Sequence, residues 1–247
     1  FFFGVTPKLN PADIEIGPSV EIQPLSIFNL RFGAVMMHYL GTFDYLQSFQ
    51  SPTAVYDDTT NTRAAQHGAN YSTTGIHIYI EPLLQFKFGP VAVVDKFSAQ
   101  YWDMRLRSSD PSKPNRPDTV FYDPTLDTLV PSHGWVFAND LDVLYLHSFG
   151  GTSQLAAGVR YTMVKPIYAK DDFLAGEKAN SVHNDHHRLG PILAYTFYDH
   201  PFTSFNKPTV VLILNWYVKH RWRTGEDMNQ GIPYIVLGFA FESDLMK

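Results

Sequence analysis

The chain has no cysteine, which excludes disulfides, thiolate zinc sites and lipidation at an N-terminal cysteine of this chain. Charge is scarce as well. Asp, Glu, Lys and Arg make up 17% of the 247 residues, against roughly a quarter in an ordinary soluble domain. The charge-poor surface this implies is not matched by a long hydrophobic run. No stretch approaches the roughly 18 consecutive apolar residues of a spanning helix, so any membrane residence must be by β-strands. The net charge of −5 is mild and no Lys/Arg-rich stretch forms a basic stripe, so nucleic acid is not an expected partner. There is also no initiating Met, charged leader or small-residue cleavage site. The opening Phe1-Phe2-Phe3 fits a chain from which an export signal has been removed and equally one whose start has been trimmed.

Aromatic residues are plentiful, at 15% of the chain with 19 Phe and 14 Tyr. They sit within a pattern of period two that recurs from end to end and predicts β-strands. In 14–24, Ile14, Ile16, Val20 and Ile22 alternate with Glu15, Gly17, Ser19, Glu21 and Gln23. Phe28, Leu30, Phe32, Ala34 and Met36 then oppose Asn29, Arg31 and Gly33. In 73–82, Ile76, Ile78 and Ile80 oppose His77, Tyr79 and Glu81, and in 84–96, Leu84, Phe86 and Phe88 oppose Gln85 and Lys87. Trp135, Phe137, Leu141, Val143 and Tyr145 face away from Asp140 and Asp142, and Leu155, Val159, Tyr161 and Met163 from Arg160 and Thr162. Leu189, Leu193, Tyr195 and Phe197 follow, then Val210, Leu212, Leu214, Trp216 and Val218 against Asn215, Tyr217, Lys219 and Arg221. Ile235, Leu237, Phe239 and Phe241 alternate with Gly238, Ala240 and Glu242 at the end.

The connections alternate too. Tight joins are expected near Gln23–Ile27, Glu81–Leu84, His147–Thr152 and His200–Pro208, and long polar loops over 43–71, 105–133 and 167–187. Short turns on one side and long loops on the other predict an all-β, transmembrane, antiparallel up-and-down barrel of about ten strands. Residues 1–247 form its single domain, the turns and C-terminus are periplasmic, the loops extracellular, and Phe1–Val5 is an ascending first strand. The stretch Glu21-Ile22-Gln23-Pro24-Leu25 is echoed by Ile80-Glu81-Pro82-Leu83, as if at successive hairpins. Gly-Pro at 17–18, 89–90 and 190–191 falls within or at the rim of these strands, where proline removes a ladder donor.

A soluble barrel or sandwich shows the same alternation with its apolar face inward. Three features favour the membrane. The apolar rows carry bulky Leu, Ile, Val and Phe, while the opposing rows mix small and charged residues. Trp102, Trp135, Tyr145, Phe197, Trp222 and Phe241 fall near strand ends, where interfacial girdles lie. Loop lengths differ between the two sides. Through this hairpin pattern and the terminal Ile235-x-Leu237-x-Phe239-x-Phe241 strand, the chain resembles the bacterial outer-membrane β-barrel class. The resemblance implies residence in a bacterial outer membrane among its lipids and lipopolysaccharide, with other envelope proteins as partners. Such barrels commonly finish on an aromatic residue, whereas here Glu242–Lys247 follows.

The inward polar set expected to line the lumen is Glu15, Glu21, Asn29, Arg31, His77, Glu81, Asp140, Asp142, Arg160, Lys219, Arg221 and Glu242. Both signs are present and single buried charges are costly, so pairing is expected. About ten strands leave little free interior, which argues against a general diffusion porin. No cofactor or metal is expected, although His183, Asp185, His186 and His187, clustered around Asn184, have the chemistry to bind zinc or copper. The strand count is similar to that of the omptin proteases, which implies Asp57, Asp58, Asp103 and His38 as acidic and imidazole candidates; none lies in a motif of that family. A phospholipase would need a Ser beside a rim His. His220, on the apolar parity of its strand and with no Ser nearby in sequence, reads as an interfacial girdle residue. The expected function is a non-enzymatic structural, anchoring or complex-forming subunit. A small selective channel and a lipid- or peptide-hydrolysing enzyme are the alternatives.

Overall fold

The computed structural model describes residues 1–9, 11–42, 46–67, 69–150, 152–200, 205–224 and 231–243. It is all-β and antiparallel. The elements in chain order are β1 (Phe2–Val5), β2 (Lys8–Leu9), β3 (Asp13–Ile16), β4 (Pro18–Leu25), β5 (Phe28–Tyr39), β6 (Gln47–Phe49), α1 (Asp58–Gln66), β7 (Thr73–Phe88), β8 (Val91–Met104), β9 (Val120–Asp123), β10 (Thr128–Pro131), β11 (His133–Phe149), β12 (Ser153–Ile167), β13 (His186–Thr196), β14 (Asn206–Lys219) and β15 (Tyr234–Glu242). Single 3-10 turns occur at Lys170–Asp172 and Ala179–Ser181.

The long strands form one meander in the order β1-β4-β5-β7-β8-β11-β12-β13-β14-β15, with β2 and β3 attached at its start. β1 and β2 run along β4 and β3 respectively, and β3 and β4 both pair with β5. Every neighbouring pair is antiparallel, the arrangement that short hairpin turns permit. Among the described residues no ladder joins β1 to β15, which form the two edges of the sheet.

Several long strands of the large sheet have one apolar, exposed face. On β5 Phe32 and Met36 point to it, on β7 Ile76, Ile80, Phe86 and Phe88, and on β15 Ile235, Leu237, Phe239 and Phe241. The alternate residues Val35, Met37, Tyr39, His77, Tyr79, Trp102 and Asp142 are buried on the other face. Against the buried face sits a second, three-stranded sheet, β10-β9-β6. Phe121, Leu126 and Val130 from it pack with Met37, Tyr39, Trp102, Met104, Val136 and Val164 of the large sheet, and this is the main apolar core.

The large sheet curls around the small one. The turn at residues 123–127 is bonded to Tyr39 on β5 and to Tyr217 on β14, strands six places apart in the sheet order. In a flat sheet these two strands would stand about 29 Å apart, and the hairpin turn ties them together through the two tyrosine side chains. Thr125 shares one cavity with Lys8 of β2 and another with Tyr234 of β15.

Two sequence expectations are corrected. The join expected at Glu81–Leu84 does not exist. β7 runs unbroken from Thr73 to Phe88 and turns at Gly89-Pro90. Its ladder to β8 lapses at Glu81 and Pro82 and resumes in the same register, from Ile80↔Ala99 to Leu83↔Lys96. Pro82 therefore removes a donor without ending the strand, and the echo of 21–25 at 80–83 falls within a strand. The loops expected over 43–71 and 105–133 hold β6, α1, β9 and β10. The tight joins across residue 151 and across 201–204, and the tail over 244–247, lie outside the described residues.

Candidate functional site

The long connections fold inward over one end of the curled sheet, and their centre is the β9–β10 turn. Asp127 there holds a left-handed backbone conformation (φ 50°), which short polar residues tolerate better than most. Its carboxylate accepts four hydrogen bonds from three side chains. Tyr122 donates to Oδ1 at 2.7 Å, Tyr217 donates to Oδ2, and Arg223 donates through Nε to Oδ2 at 2.6 Å and through Nη2 to Oδ1 at 3.1 Å. His220 Nε2 donates to the Asp127 carbonyl at 3.0 Å. Burial works to raise the Asp127 carboxyl, but the Arg223 hydrogen bonds, the His220 and Arg223 charges and the Tyr217 hydroxyl outweigh it and hold the group well below the usual carboxylate range. Burial lowers the Arg223 guanidinium, and its hydrogen bonds to Asp127 and Asp58 reverse that and keep it protonated.

His220 is buried, not placed in an interfacial girdle as its parity suggested. The strand ends at Lys219, and the following turn swings the ring inward. Its Nδ1 accepts the Trp222 and Arg223 backbone N–H groups, each at 3.0 Å. With Nδ1 an acceptor and Nε2 a donor, the ring is the neutral Nε2–H tautomer. Burial lowers its pKa against the opposing pull of Asp127.

The same segment ties the other connections together. Arg223 also grips Asp58, the first residue of α1, at 2.8 and 2.9 Å. Arg221 donates to the carbonyls of Pro52 and Thr53 and to Asn184 Oδ1. The Asn184 side chain donates to Pro52 O and Tyr168 Oη, and its carbonyl accepts from Thr128. Glu177 receives Ser51, Thr53 and the Leu174 N–H. These bonds form a cap across four connections of the sheet.

Beneath the cap lies a partly enclosed polar cavity of about 240 Å³. Glu15 pairs with Lys8 at 2.9 Å, and Glu81 pairs with Arg31 at 3.3 Å and lies 3.8 Å from Lys96. Asp123 accepts the Thr125 and Leu126 N–H groups, both at 2.8 Å, and the Tyr39 hydroxyl. Burial nonetheless raises its pKa. His77 stacks on Trp102 with ring centroids 4.0 Å apart and planes 8° apart. Gly33 makes room for Tyr79, since a Cβ there would stand 2.3 Å from Cζ of that ring.

The remaining polar residues expected to face inward are distributed as follows. Glu21 accepts from Asn29 at 2.6 Å. Arg160 makes a bidentate pair with Asp142 at 2.7 and 2.6 Å and reaches to 3.9 Å from Asp140. Arg221 belongs to the cap. Lys219 is exposed and pairs with Asp185, and Glu242 is exposed and pairs with Lys207 at 3.0 Å. The set thus divides among the cavity, the Asp142 network, the cap and the rim.

The metal candidates do not converge. His183 is exposed; His186 is fully buried and bonded through Nε2 to Leu126 O at 2.6 Å; His187 meets Tyr161 at 2.6 Å and Asp185 at 3.5 Å. Among the described residues no three metal-binding side chains come together. Nor do the hydrolase candidates. Asp57 caps α1 by accepting Thr60 N–H at 2.6 Å, Asp58 pairs with Arg223, Asp103 with His133 at 3.1 Å, and His38 lies 3.4 Å from Ser72. Two of the expected girdle aromatics also sit elsewhere. Trp102 is buried on the inner face, and Trp222 packs edge-on against Tyr56 at 5.9 Å. No family model, curated protein or solved structure matches the chain.

Proposed function

We propose that the chain is an integral β-barrel of a bacterial outer membrane, closed between β1 and β15, whose lumen is stopped by its own cap and whose role is structural, anchoring or complex-forming. One observation carries this reading. The exposed face of the long strands carries rows of large apolar side chains, while most of the charged and amide groups within the strands turn to the other side. Water would penalise such a face and lipid would accept it. The row is interrupted by Asp95 and Asn139, which by parity share the outer face and satisfy each other through a hydrogen bond of 2.5 Å. The place of Thr125 in one cavity lined by Lys8 of β2 and in another lined by Tyr234 of β15 is compatible with closure.

The test is localisation of the chain expressed with an export signal in a Gram-negative host. Carbonate-resistant recovery with outer membranes, and faster gel migration before boiling than after, are expected. Recovery from the periplasm without detergent would overturn the reading. A narrow channel is the second reading, favoured by two cavities, of about 240 and 250 Å³, that share Thr125 as a lining residue. Planar-bilayer recordings separate the two. A capped barrel is silent, whereas ion-selective steps altered by Arg31→Gln would establish the channel.

A further inference from the structure

We propose that two copies of the chain associate side by side in the membrane through the outer face of β8 and β11, with Asp95 and Asn139 of each copy at the centre of the contact. This rests on the membrane reading above.

The position of the two residues carries the argument. Alternation along β8 and β11 turns Ser98, Trp102, Val136 and Asp142 to the buried side. Asp95 and Asn139 have the opposite parity and face outward, each partly exposed. Their neighbours on that face are all apolar. Asp95 lies between Leu84 and Leu141 across the ladders and between Val93 and Phe97 along its strand. Asn139 lies between Phe97 and Met163 across the ladders and between Phe137 and Leu141 along its strand.

The register also gives their depth. Tyr101 pairs with Trp135 towards the loop end of β8 and β11, and Val91 pairs with Tyr145 towards the turn end. These levels are ten residues apart on either strand. Ten residues cover about 33 Å along a strand, or about 25 Å in depth at a tilt near 40°, which is the height of the apolar band of a barrel. Asp95 stands four residues from Val91, and Asn139 stands four from Trp135. The pair is therefore close to mid-height, where polar groups are most costly and mark functional contacts.

The hydrogen bond within the pair leaves bonding capacity at the surface. Asn139 Nδ2 donates to Asp95 Oδ1 at 2.5 Å, which uses one of two amide N–H groups and one of two carboxylate oxygens. The second N–H, Asn139 Oδ1 and Asp95 Oδ2 have no other partner among the described residues, and lipid tails supply none. A donor and an acceptor side by side are self-complementary. Turned by a two-fold axis, the amide of one copy meets the carboxylate of the other, twice over. A two-fold contact requires such a patch, whereas a partner of different sequence places no such demand on this face. Phe97 and Phe137, stacked with centroids 5.8 Å apart, add flat apolar surface beside it.

The test is the oligomeric state of the full chain refolded in detergent micelles and in lipid vesicles. Sedimentation equilibrium in micelles should show a reversible dimer. The chain has no cysteine, so Leu141→Cys is a single reporter and should form a disulfide-linked dimer in vesicles. Leu237→Cys, four strands away on β15, should not. Replacing both polar residues, Asp95→Leu with Asn139→Leu, removes two interchain hydrogen bonds and should weaken the dimer roughly tenfold or more, with heat-dependent gel migration intact. Asp95→Asn keeps a donor and an acceptor and should keep the dimer. A monomer at every concentration, equal trapping at both cysteines, or a dimer indifferent to the double leucine change would overturn the proposal, as would trapping of Leu141→Cys only to a different protein in native membranes. An inserted monomer would leave the barrel reading standing, whereas a chain that never migrates as a folded barrel would remove both.

Discussion

Arg223 and Asp127, 96 residues apart, form a bidentate pair at the centre of the cap, with Nε to Oδ2 at 2.6 Å and Nη2 to Oδ1 at 3.1 Å. The same guanidinium holds Asp58 on its outer side. The two carboxylates are not equivalent, because the Asp127 side chain is 8% exposed and that of Asp58 is 52% exposed.

That asymmetry predicts unequal mutational costs. Arg223→Met strands a buried carboxylate and should cost about 3 kcal/mol, whereas Asp58→Asn removes an exposed partner and should cost under about 1 kcal/mol. Denaturant unfolding of the two variants compares them, and limited proteolysis between α1 and β7 should rise only in the first. Equal losses would mean that Asp58, not Asp127, organises the segment.

The strands and the cap were legible to different degrees. β15 is plain in the sequence because Ile235, Leu237, Phe239 and Phe241 alternate with small residues, and the structure puts the aliphatic and aromatic row on the exposed face. β9 and β10 gave no such signal. Val120, Phe121, Leu129 and Val130 are buried although neighbours in sequence point to opposite faces, because both faces of that hairpin are covered. Period two disappears when neither face meets solvent or lipid. The available clue was two short β-branched and aromatic runs around Asp123-Pro124-Thr125-Leu126-Asp127, a turn-rich linker of hairpin length. Pro82 misled in the opposite direction, since a proline inside a strand looks like a turn. The pairing of Arg223 with Asp127 leaves no local trace at all.

A close backbone approach gives a second prediction. At Gly190 on β13 a Cβ would stand 1.8 Å from the carbonyl oxygen of Leu214, a backbone atom that cannot move aside as a side chain can. Gly190→Ala should therefore destabilise by about 1–3 kcal/mol or more, with disturbance centred on the β13–β14 ladder. Gly238→Ala on β15, where the nearest atom is 3.9 Å away, should change stability by under about 0.5 kcal/mol. Thermal unfolding of both variants checks the pair.

The outward row makes a third prediction, specific to a membrane setting. Leu237 is 74% exposed on β15. In water, Leu237→Arg would be nearly neutral or would improve solubility. On a lipid-facing strand it should cost about 2–4 kcal/mol near the bilayer midplane. Refolding into lipid vesicles, followed by heat-dependent gel mobility, should show reduced yield for Leu237→Arg and little change for Lys165→Gln at an exposed strand end.

The cap should loosen in acid, and the sign follows from two groups. Asp127 has a depressed pKa in the folded chain, so its contribution is complete above its unfolded value, near 4, and is lost as pH falls through the folded value. His220 is also depressed, by burial opposed by Asp127. For a histidine held neutral, stabilisation is present above the unfolded value, near 6.5, and declines as pH falls below it, because the unfolded ring takes up a proton that the folded ring resists. Both contributions therefore act in the same direction, with His220 responsible for the upper part of the range. Protonation at Nδ1 would also remove the acceptor for the Trp222 and Arg223 N–H groups, opening the turn that presents Arg223 to Asp127. The charged groups that bear on the ring are Asp127, Arg223 and Asp58, and the His186 ring lies beside it with centroids 5.4 Å apart and planes tilted by 48°. Hydrogen exchange at residues 220–224, measured from pH 7 to pH 4 and corrected for intrinsic exchange, should show protection falling from about pH 6.5 downward. In His220→Gln the decline should begin only near the carboxylate range. A His220→Gln profile identical to that of the unaltered chain would assign the upper limb to another group.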